Sequence, residues 1–577
     1  MSSQEAIFNS FLTKETFEGF EDNERYTKEW LPKVEKYRQA LADSIPDSCK
    51  APLPKPIDEL INEQFNAMDY MYSAKLLTDD EFKITDTPAY KLVEQMSKGE
   101  LTAVEVYRAF AHRAIIAHQF TNCAMEFFFH EGLQQAEERD AYFRETGKIV
   151  GPLHGLPFSL KEHMDYKGKI THAGYVSMID NIPEEHGVTV DILQKLGAVY
   201  YVRTNEPQTL MHLDSNNNYT GLTKCPFNLL LSAGGSSSGE GAISAFGGAA
   251  LGIGSDIGGS IRSPAAFSGT LGLRTSTRRV SDIGSVSAFG GFETVPCVMG
   301  PFARCVEDID YWMKSYLNEG KPWERDGWVL PMPWRQVAKP APKDLTIAVT
   351  RDDGLVRVSP PIRRAINEVV EKLKAAGVKI VEFQPPNTKL AYETLNKAYN
   401  CDGNLISKEF LSASGEPLVK LTKWNLNFGD GAKQYTIGEN RQLNIIRDKL
   451  RTEYTRYLVD NKIDFILSPT YNNVAPHSEE IYNWSYTGLY NILDFPTLVF
   501  QSGVFQDPNV DRWTEEDLKY EYRSDLEKLE NENYKPDEFI GAPVGLQLTG
   551  RRYFDEEIVA AGKTIVDDIL KVDLFKH

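Results

Sequence analysis

Two serine-bearing glycine turns fall within one stretch, SAGGSSSGEGAISAFGGAALGIGSDIGGSIRSP, residues 232–264. Ser236, Ser237 and Ser238 follow Gly234-Gly235, and Ser260 follows Gly258-Gly259, just after Ser255-Asp256-Ile257. Glycine lets a backbone turn sharply and lets another group come close. A serine on such a turn has several backbone N–H groups beside it, which suits a nucleophile next to an oxyanion hole. Two other readings compete. Gly252, Gly254 and Gly258 give G-x-G-x-x-x-G, but a dinucleotide site needs G-x-G-x-x-G, and the order helix, strand, turn is wrong for it. No Gly-Lys-Ser/Thr follows, so a P-loop fails as well. The bland alternative is glycines for tight packing and serines as local caps. Acyl transfer by a serine without histidine needs a base from elsewhere in the chain.

The elements that must position these residues follow from periodicity. The segment 1–85 is polar and helix-prone, with mixed charge and spaced apolar residues over 26–41 and 57–68, and is expected to be an arm packed on the main body. Pro88 opens a helix ending near Gly99. Thr102 with Glu105 makes a capping box for a helix to about Ala117. Strands are expected over 126–129, 158–160 (with Lys161 at its end), 198–203, 249–254, 345–350, 378–383, 464–468 and 544–549. Helices are expected over 132–146, 188–196, 240–246, 301–314, 361–376, 435–461 and 555–569. The segment 320–342 is a Pro/Trp-rich connector, and the acidic segment 514–535 is expected to be an exposed insertion. Alternating strands and helices imply an α/β body with a parallel or mixed sheet.

Composition limits the function classes. The 577 residues are 41% hydrophobic and 25% charged, an ordinary globular mixture with ample chain for a large core. Net charge is -19, from Lys+Arg 63 against Asp+Glu 82, which argues against nonspecific binding to DNA or anionic membranes. No secretory signal is read at the N-terminus and no retention, peroxisomal or prenylation signal at the C-terminus. The longest apolar run, 242–254, is short of the roughly 18 residues of a spanning helix. Six scattered cysteines form no C-x-x-C, so neither zinc nor a disulfide framework is signalled, and free thiols in a reducing cytoplasm are expected.

With Lys161 in GLPFSLKE (155–162), GGSSSGEGA (234–242) and GSDIGGSIRSPAAFSGTLGLRTS (254–276), the chain resembles the amidase signature family. The resemblance continues in GPFARCVEDID (300–310) and PVGLQLTGRR (543–552), and so runs from about residue 85 to the C-terminus. The segments 350–386 and 490–500 are similar to the fungal acetamidase-type general amidases. The fold this implies is a three-layer α/β/α sandwich around a large mixed sheet: an N-terminal helical arm, 1–85, packed on a catalytic body, 86–577.

Carried over by motif, Ser260 is the acyl nucleophile, Ser236 the bridging serine, often preceded by a cis peptide, and Lys161 the base. The chemistry agrees. A serine hydroxyl is a poor nucleophile until its proton is accepted, and a lysine accepts it only when neutral, which requires burial. Lys161 follows the apolar run 156–160, and Ser236 can pass a proton between Ser260 and Lys161. The N–H groups of Ile257, Gly258, Gly259 and Ser260 would form the oxyanion hole. Asp256 and Arg262 would brace the turn, and Ser237 would hydrogen-bond Lys161. Met211 and Leu210 lie in the segment that lines the acyl pocket in relatives, with plain core packing the equal alternative. Cys225 stands where the family often has Asn before Pro, a departure expected to reshape the pocket's rim.

Lys161 alone would read as a surface lysine; the two serine turns reverse that. His154, His163 and His212 belong to no triad motif such as G-x-S-x-G and are expected to be structural. The sequence therefore points to a cytoplasmic amidase hydrolysing a carboxylic amide to acid and ammonia through an acyl-enzyme. Its expected partner is a small-molecule amide, with no nucleic acid, membrane, metal or cofactor, and a homodimer is left open. Two alternatives stand: the amide-hydrolysing subunit of a tRNA-dependent amidotransferase, and a non-catalytic scaffold, against which intact Lys161, Ser236 and Ser260 argue.

Overall fold

The structure, a computed structural model, describes residues 3–12 and 14–575. Its strands, in chain order, are β1 (Ala124–Phe127), β2 (Pro157–Lys161), β3 (Val199–Thr204), β4 (Lys224–Cys225), β5 (Asn228–Ser232), β6 (Leu251–Asp256), β7 (Leu271–Arg274), β8 (Val298–Ala303), β9 (Thr346–Val349), β10 (Lys379–Glu382), β11 (Phe465–Pro469), β12 (Thr497–Phe505) and β13 (Pro543–Thr549). β4 and β5 form a small hairpin. The other eleven make one mixed sheet in the order β1-β3-β2-β6-β8-β7-β12-β13-β11-β9-β10. The sheet has two halves, each contiguous in sequence. β1, β2, β3, β6, β7 and β8 build one and β9 to β13 the other, and the seam is the antiparallel pair β7–β12, with Thr497 opposite Arg274, Leu498 opposite Leu273 and Val499 opposite Gly272.

Helices cover both faces. Side chains alternate across a strand, so Leu498 and Gln501 of β12 face opposite ways. Leu498 packs beneath Gly562 of the helix Asp555–Gly562, while Gln501 donates to the Ala265 carbonyl of the helix Arg262–Ser268 at 2.9 Å. A sheet covered on both sides buries every strand position, and β2, β3, β6 and β8 are buried throughout, their polar residues included. The helix Pro360–Ala375 shows how pattern becomes packing. Proline occupies its first turn, where no N–H is needed, and Ile362, Ala365, Ile366, Val369, Val370 and Leu373 bury one stripe. The capping box at Thr102 forms, with Thr102 and Glu105 each bonding the other's backbone N–H.

The N-terminal segment is helical and packs on the body. Phe8 stacks on Trp424 with ring centroids 5.8 Å apart, and the Ala67 N–H donates to the Pro226 carbonyl at 3.0 Å. Among the described residues no helix is long and apolar enough to cross a membrane.

Several expectations move. The 126–129 strand is β1, two residues earlier, because Phe128 caps the helix Phe129–Thr146. The 249–254 strand is β6, two residues later, so the Asp256 turn leaves directly from a strand end. The expected 301–314 helix begins only at Val306; Pro301, Phe302 and Ala303 belong to β8, held between β6 and β7. The acidic segment 514–535 is exposed over most of 514–525, as expected, but not beyond it. Its helix Asp525–Glu532 turns Glu527, Leu529, Glu530 and Asn531 inward, and the Glu530 carboxylate accepts the N–H groups of Tyr482 (2.7 Å) and Asn483 (2.8 Å).

Candidate active site

β2 and β6 are parallel neighbours, with Phe158, Ser159 and Leu160 opposite Leu251, Gly252 and Ile253. Their carboxyl ends therefore emerge side by side, the usual place for a site in such sheets. β2 delivers Lys161 there, and β6 delivers Ser255, Asp256 and the turn to Ser260. The loop after β5 adds Ser236, following a cis peptide between Gly235 and Ser236. The two serine turns are tied by the Ser237 N–H, which donates to the Ser260 carbonyl at 3.1 Å.

Lys161 is fully buried. Its Nζ lies within hydrogen-bond distance of Ser236 Oγ (2.6 Å) and of Ser255 Oγ (3.0 Å). Ser255 Oγ also lies 2.9 Å from His163 Nε2, and His163 Nδ1 is 3.2 Å from the Val286 carbonyl. A carbonyl only accepts, so Nδ1 carries the proton and Nε2 accepts from Ser255. The Ser260 hydroxyl has no hydrogen bond among the described residues. It opens with Ser236 on a cavity of about 430 Å³ whose wall includes Leu210, Met211, Ile257, Phe289, Phe292 and Met299.

The turn before Ser260 is held from below. Asp256 accepts from Arg262 Nε and Nη2 (3.0 Å each), from Asn491 Nδ2 (2.8 Å) and from the N–H groups of Gly259 (2.9 Å) and Ile261 (3.1 Å). Thr487 Oγ1 donates to the Gly258 carbonyl at 2.7 Å and Tyr399 OH to the Ile257 carbonyl at 2.6 Å. Glycine is required at both central positions. A Cβ on Gly258 would meet the Trp484 ring at 2.5 Å, and Gly259 has φ +133° with Thr487 Oγ1 2.5 Å from where its Cβ would be. The Ile257, Gly258 and Ser260 N–H groups make no hydrogen bond among the described residues. The Gly259 N–H, expected as a fourth oxyanion donor, is committed to Asp256 instead.

Burial pushes the Lys161 pKa down, against the opposing pull of Glu206, Cys297, Asp256 and Glu240. It also pushes His163 well below its ordinary value, with Lys161 adding to the effect. Beneath the site, Glu240 receives the hydroxyls of Ser159 (2.8 Å) and Thr204 (2.7 Å), and burial raises its pKa to about 8. Glu162, His172 and Glu206 lie close enough to hold a cation. That place is already served: the Arg203 guanidinium donates to Glu162, and His172 Nδ1 accepts the Gly174 N–H at 3.0 Å.

Lys161, Ser236, Ser260, Ile257, Gly258 and Met211 thus come to one cavity or its floor, braced by Asp256 and Arg262. Ser237, expected against Lys161, bonds the Ser255 main chain at 3.3 Å, because it starts the helix Ser238–Phe246 facing β6; Ser255 takes its place. Cys225 does not shape a rim. It is buried in the β4–β5 hairpin with its Sγ against the Phe267 carbonyl. His154 and His212 are structural, held to Val150 and Thr422. His163 is not remote packing, since it borders the cavity. Ser255, His163, Tyr399, Thr487 and Asn491 carry no motif of their own, and only the position of Ser255 inside the GSDIGGS run signalled anything.

The amidase family model matches residues 105–559. The acetamidases of Emericella nidulans and Aspergillus oryzae are 36% and 35% identical, each over 540 residues covering 92% of this chain and 96% of the relative. A solved structure described as a fatty acid amide hydrolase superposes with TM-score 0.98 at 68% identity, covering 98% of this chain and all of that one. The chain belongs to the amidase family and is an amide-hydrolysing enzyme.

Proposed function

We propose that the chain hydrolyses fatty acyl amides to the fatty acid and ammonia or amine, through an acyl-enzyme on Ser260 served by Ser236 and Lys161. One observation carries the reading. A fully buried Lys161 Nζ lies 2.6 Å from Ser236 Oγ, beside a Ser260 hydroxyl that faces the cavity unbonded. Ser255 gives its proton to His163 and so only accepts from Lys161. That leaves the lone pair of the neutral amine for the Ser236 hydroxyl. Ser236 passes its proton to Lys161 as it takes one from Ser260, whose oxygen attacks the amide carbon. The Ile257, Gly258 and Ser260 N–H groups hold the oxyanion. The proton returns through Ser236 to the leaving nitrogen, the C–N bond breaks, and water cleaves the ester by the same relay in reverse.

The acyl class is supported by the apolar side chains Leu210, Met211, Ile257, Phe289, Phe292 and Met299 in a cavity wall of mixed polarity, by a volume within the range of sites that enclose a small organic ligand, and by the name of the 68% identical neighbour. The test is hydrolysis by the purified chain of straight-chain primary amides of increasing length, together with a fluorophosphonate label. Turnover that rises with chain length, and stoichiometric label on Ser260 with loss of activity, are expected. Label on another serine overturns the nucleophile; a rate highest for acetamide overturns the fatty acyl class.

A further inference from the structure

The cavity over Ser260 continues outward into a second, more polar recess. The two share Thr277, Arg278, Phe292, Glu293, Pro296 and Trp328. Four arginines line this recess: Arg278, Arg447, Arg451 and Arg552. A fifth, Arg274, lies buried behind it against Asp494 at 3.2 Å.

Three carboxylates also line the recess, Glu293, Asp448 and Asp494, against its four arginines. Asp494 is shared between Arg274 and Arg552 and also takes the Thr277 hydroxyl at 2.6 Å. Asp448, 61% exposed, meets Arg447 at 2.9 Å and lies 3.8 Å from Arg451. The remaining donors go to neutral oxygens: Arg447 Nη1 to the carbonyls of Glu293 (3.2 Å) and Thr294 (2.9 Å), and Arg451 Nε to that of Ile492 (2.9 Å). Arg451 is lowered to about 10 chiefly by burial, which outweighs the raising pull of Asp494; Arg447 and Arg552 add smaller lowering effects. The guanidiniums stand close enough to disfavour one another.

Arg278 stands at the junction of the two spaces. Its backbone is left-handed, φ 64°, and its carbonyl accepts the Leu330 N–H at 2.9 Å. Its guanidinium stacks 3.9 Å over the Trp328 ring and makes no hydrogen bond or ion pair among the described residues. Stacking uses the face of the guanidinium and leaves its edge donors free, the arrangement that receives a carboxylate in a bidentate way.

We infer that this recess receives a carboxylate carried by the substrate itself, so that acyl amides with an anionic group beyond the scissile bond are preferred over neutral ones. The inference rests on the reading that the Ser260 cavity binds acyl amides. The carboxylate has two possible sources: the leaving amine, as in an N-acyl amino acid, or the far end of the acyl chain.

Binding and turnover test these separately. On the full chain carrying Ser260→Ala, dissociation constants are measured for two matched sets. One is N-decanoylglycine and N-decanoyl-γ-aminobutyrate against their neutral primary amides; the other is the monoamide of sebacic acid against decanamide. The anionic member should bind more tightly in one set. Arg278→Gln should cut that preference about tenfold, the loss of one charge-assisted hydrogen bond. Arg278→Lys should restore part of it, and raising the ionic strength from about 0.05 to about 0.5 M should weaken it. A preference in the first set assigns the carboxylate to the amine side, in the second to the acyl side. No anionic preference in either set, or one untouched by Arg278→Gln and by salt, overturns the inference. Hydrolysis of decanamide by the chain with Ser260 intact is read alongside: its absence indicts the catalytic reading, whatever the binding ratios are.

Discussion

Asp256 and Arg262 face each other through two parallel hydrogen bonds of 3.0 Å, both side chains fully buried directly under the turn that presents Ser260. Removing one partner of such a pair leaves an uncompensated buried charge and costs about 3–5 kcal/mol. Arg262→Met should therefore lower stability by that order and slow turnover, because the Gly259 and Ile261 N–H groups lose a fixed acceptor. Burial alone would raise the Asp256 pKa, but Arg262, with Arg274 and Asn491, holds it well below the usual carboxylate range. A depressed carboxylate contributes stability above its unfolded pKa of about 3.9, lost as pH falls through the folded value. Acid unfolding followed by circular dichroism should shift to higher pH in Arg262→Met. An unchanged acid midpoint and unchanged melting would remove Asp256–Arg262 from any bracing role.

Lys161 must be neutral to accept a proton, and its pKa is lowered chiefly by burial. Below that pKa the amine is charged and inactive, so kcat/KM on a neutral amide should rise with pH through it. The midpoint should fall below the ordinary lysine value of about 10.4. Lys161→Ala should lose at least roughly 10³-fold in kcat/KM, as for an acid–base group and the relay it serves. Near-wild-type turnover by a folded Lys161→Ala protein would refute the base.

Ser236→Ala combined with Lys161→Ala separates a relay from independent contributions. If one proton path runs through both, each single change is severe and the double change is little worse than the more damaging single one. A double loss equal to the product of the singles, measured as kcat/KM on one small amide with folding checked for each, would leave Ser236 as a hydrogen-bond donor only.

Glu240 offers a stability test away from the chemistry. Its pKa of about 8 means that the folded chain keeps a proton which the unfolded chain gives up above about pH 4.3. Stability is thus lost progressively as pH rises through that window. Glu240→Gln keeps a neutral group against Ser159 and Thr204, so its melting temperature at pH 8 should equal or exceed the wild type's, with a flatter profile between about pH 5 and 8. A steep destabilisation at every pH would mean that the ionised carboxylate is needed.

What the sequence made legible follows physical lines. Lys161 is singled out by the resemblance of GLPFSLKE to the amidase signature; a lysine ending an apolar strand carries no such signal by itself. Ser255 and His163 could not be read. A serine among many, and a histidine two residues past Lys161, have no spacing that declares the 2.9 Å contact between them. β8 escaped because a strand buried between two others shows no alternation, and its MGPFA segment carries both glycine and proline. The acidic segment around Glu530 misled for the opposite reason: charge suggested solvent, whereas this carboxylate meets two main-chain N–H groups inside the protein.

The seam between β7 and β12 governs how the enzyme comes into being. Synthesis delivers Lys161, Ser236 and Ser260 with the first half-sheet, long before Thr497–Phe505 can close its open edge. Until then β7 presents unpaired backbone groups, a template for wrong pairing. Thr487 and Asn491, which brace the Ser260 turn, also arrive only with the second half. The nascent chain therefore carries its reactive residues in a latent form and becomes a catalyst only when its last third docks.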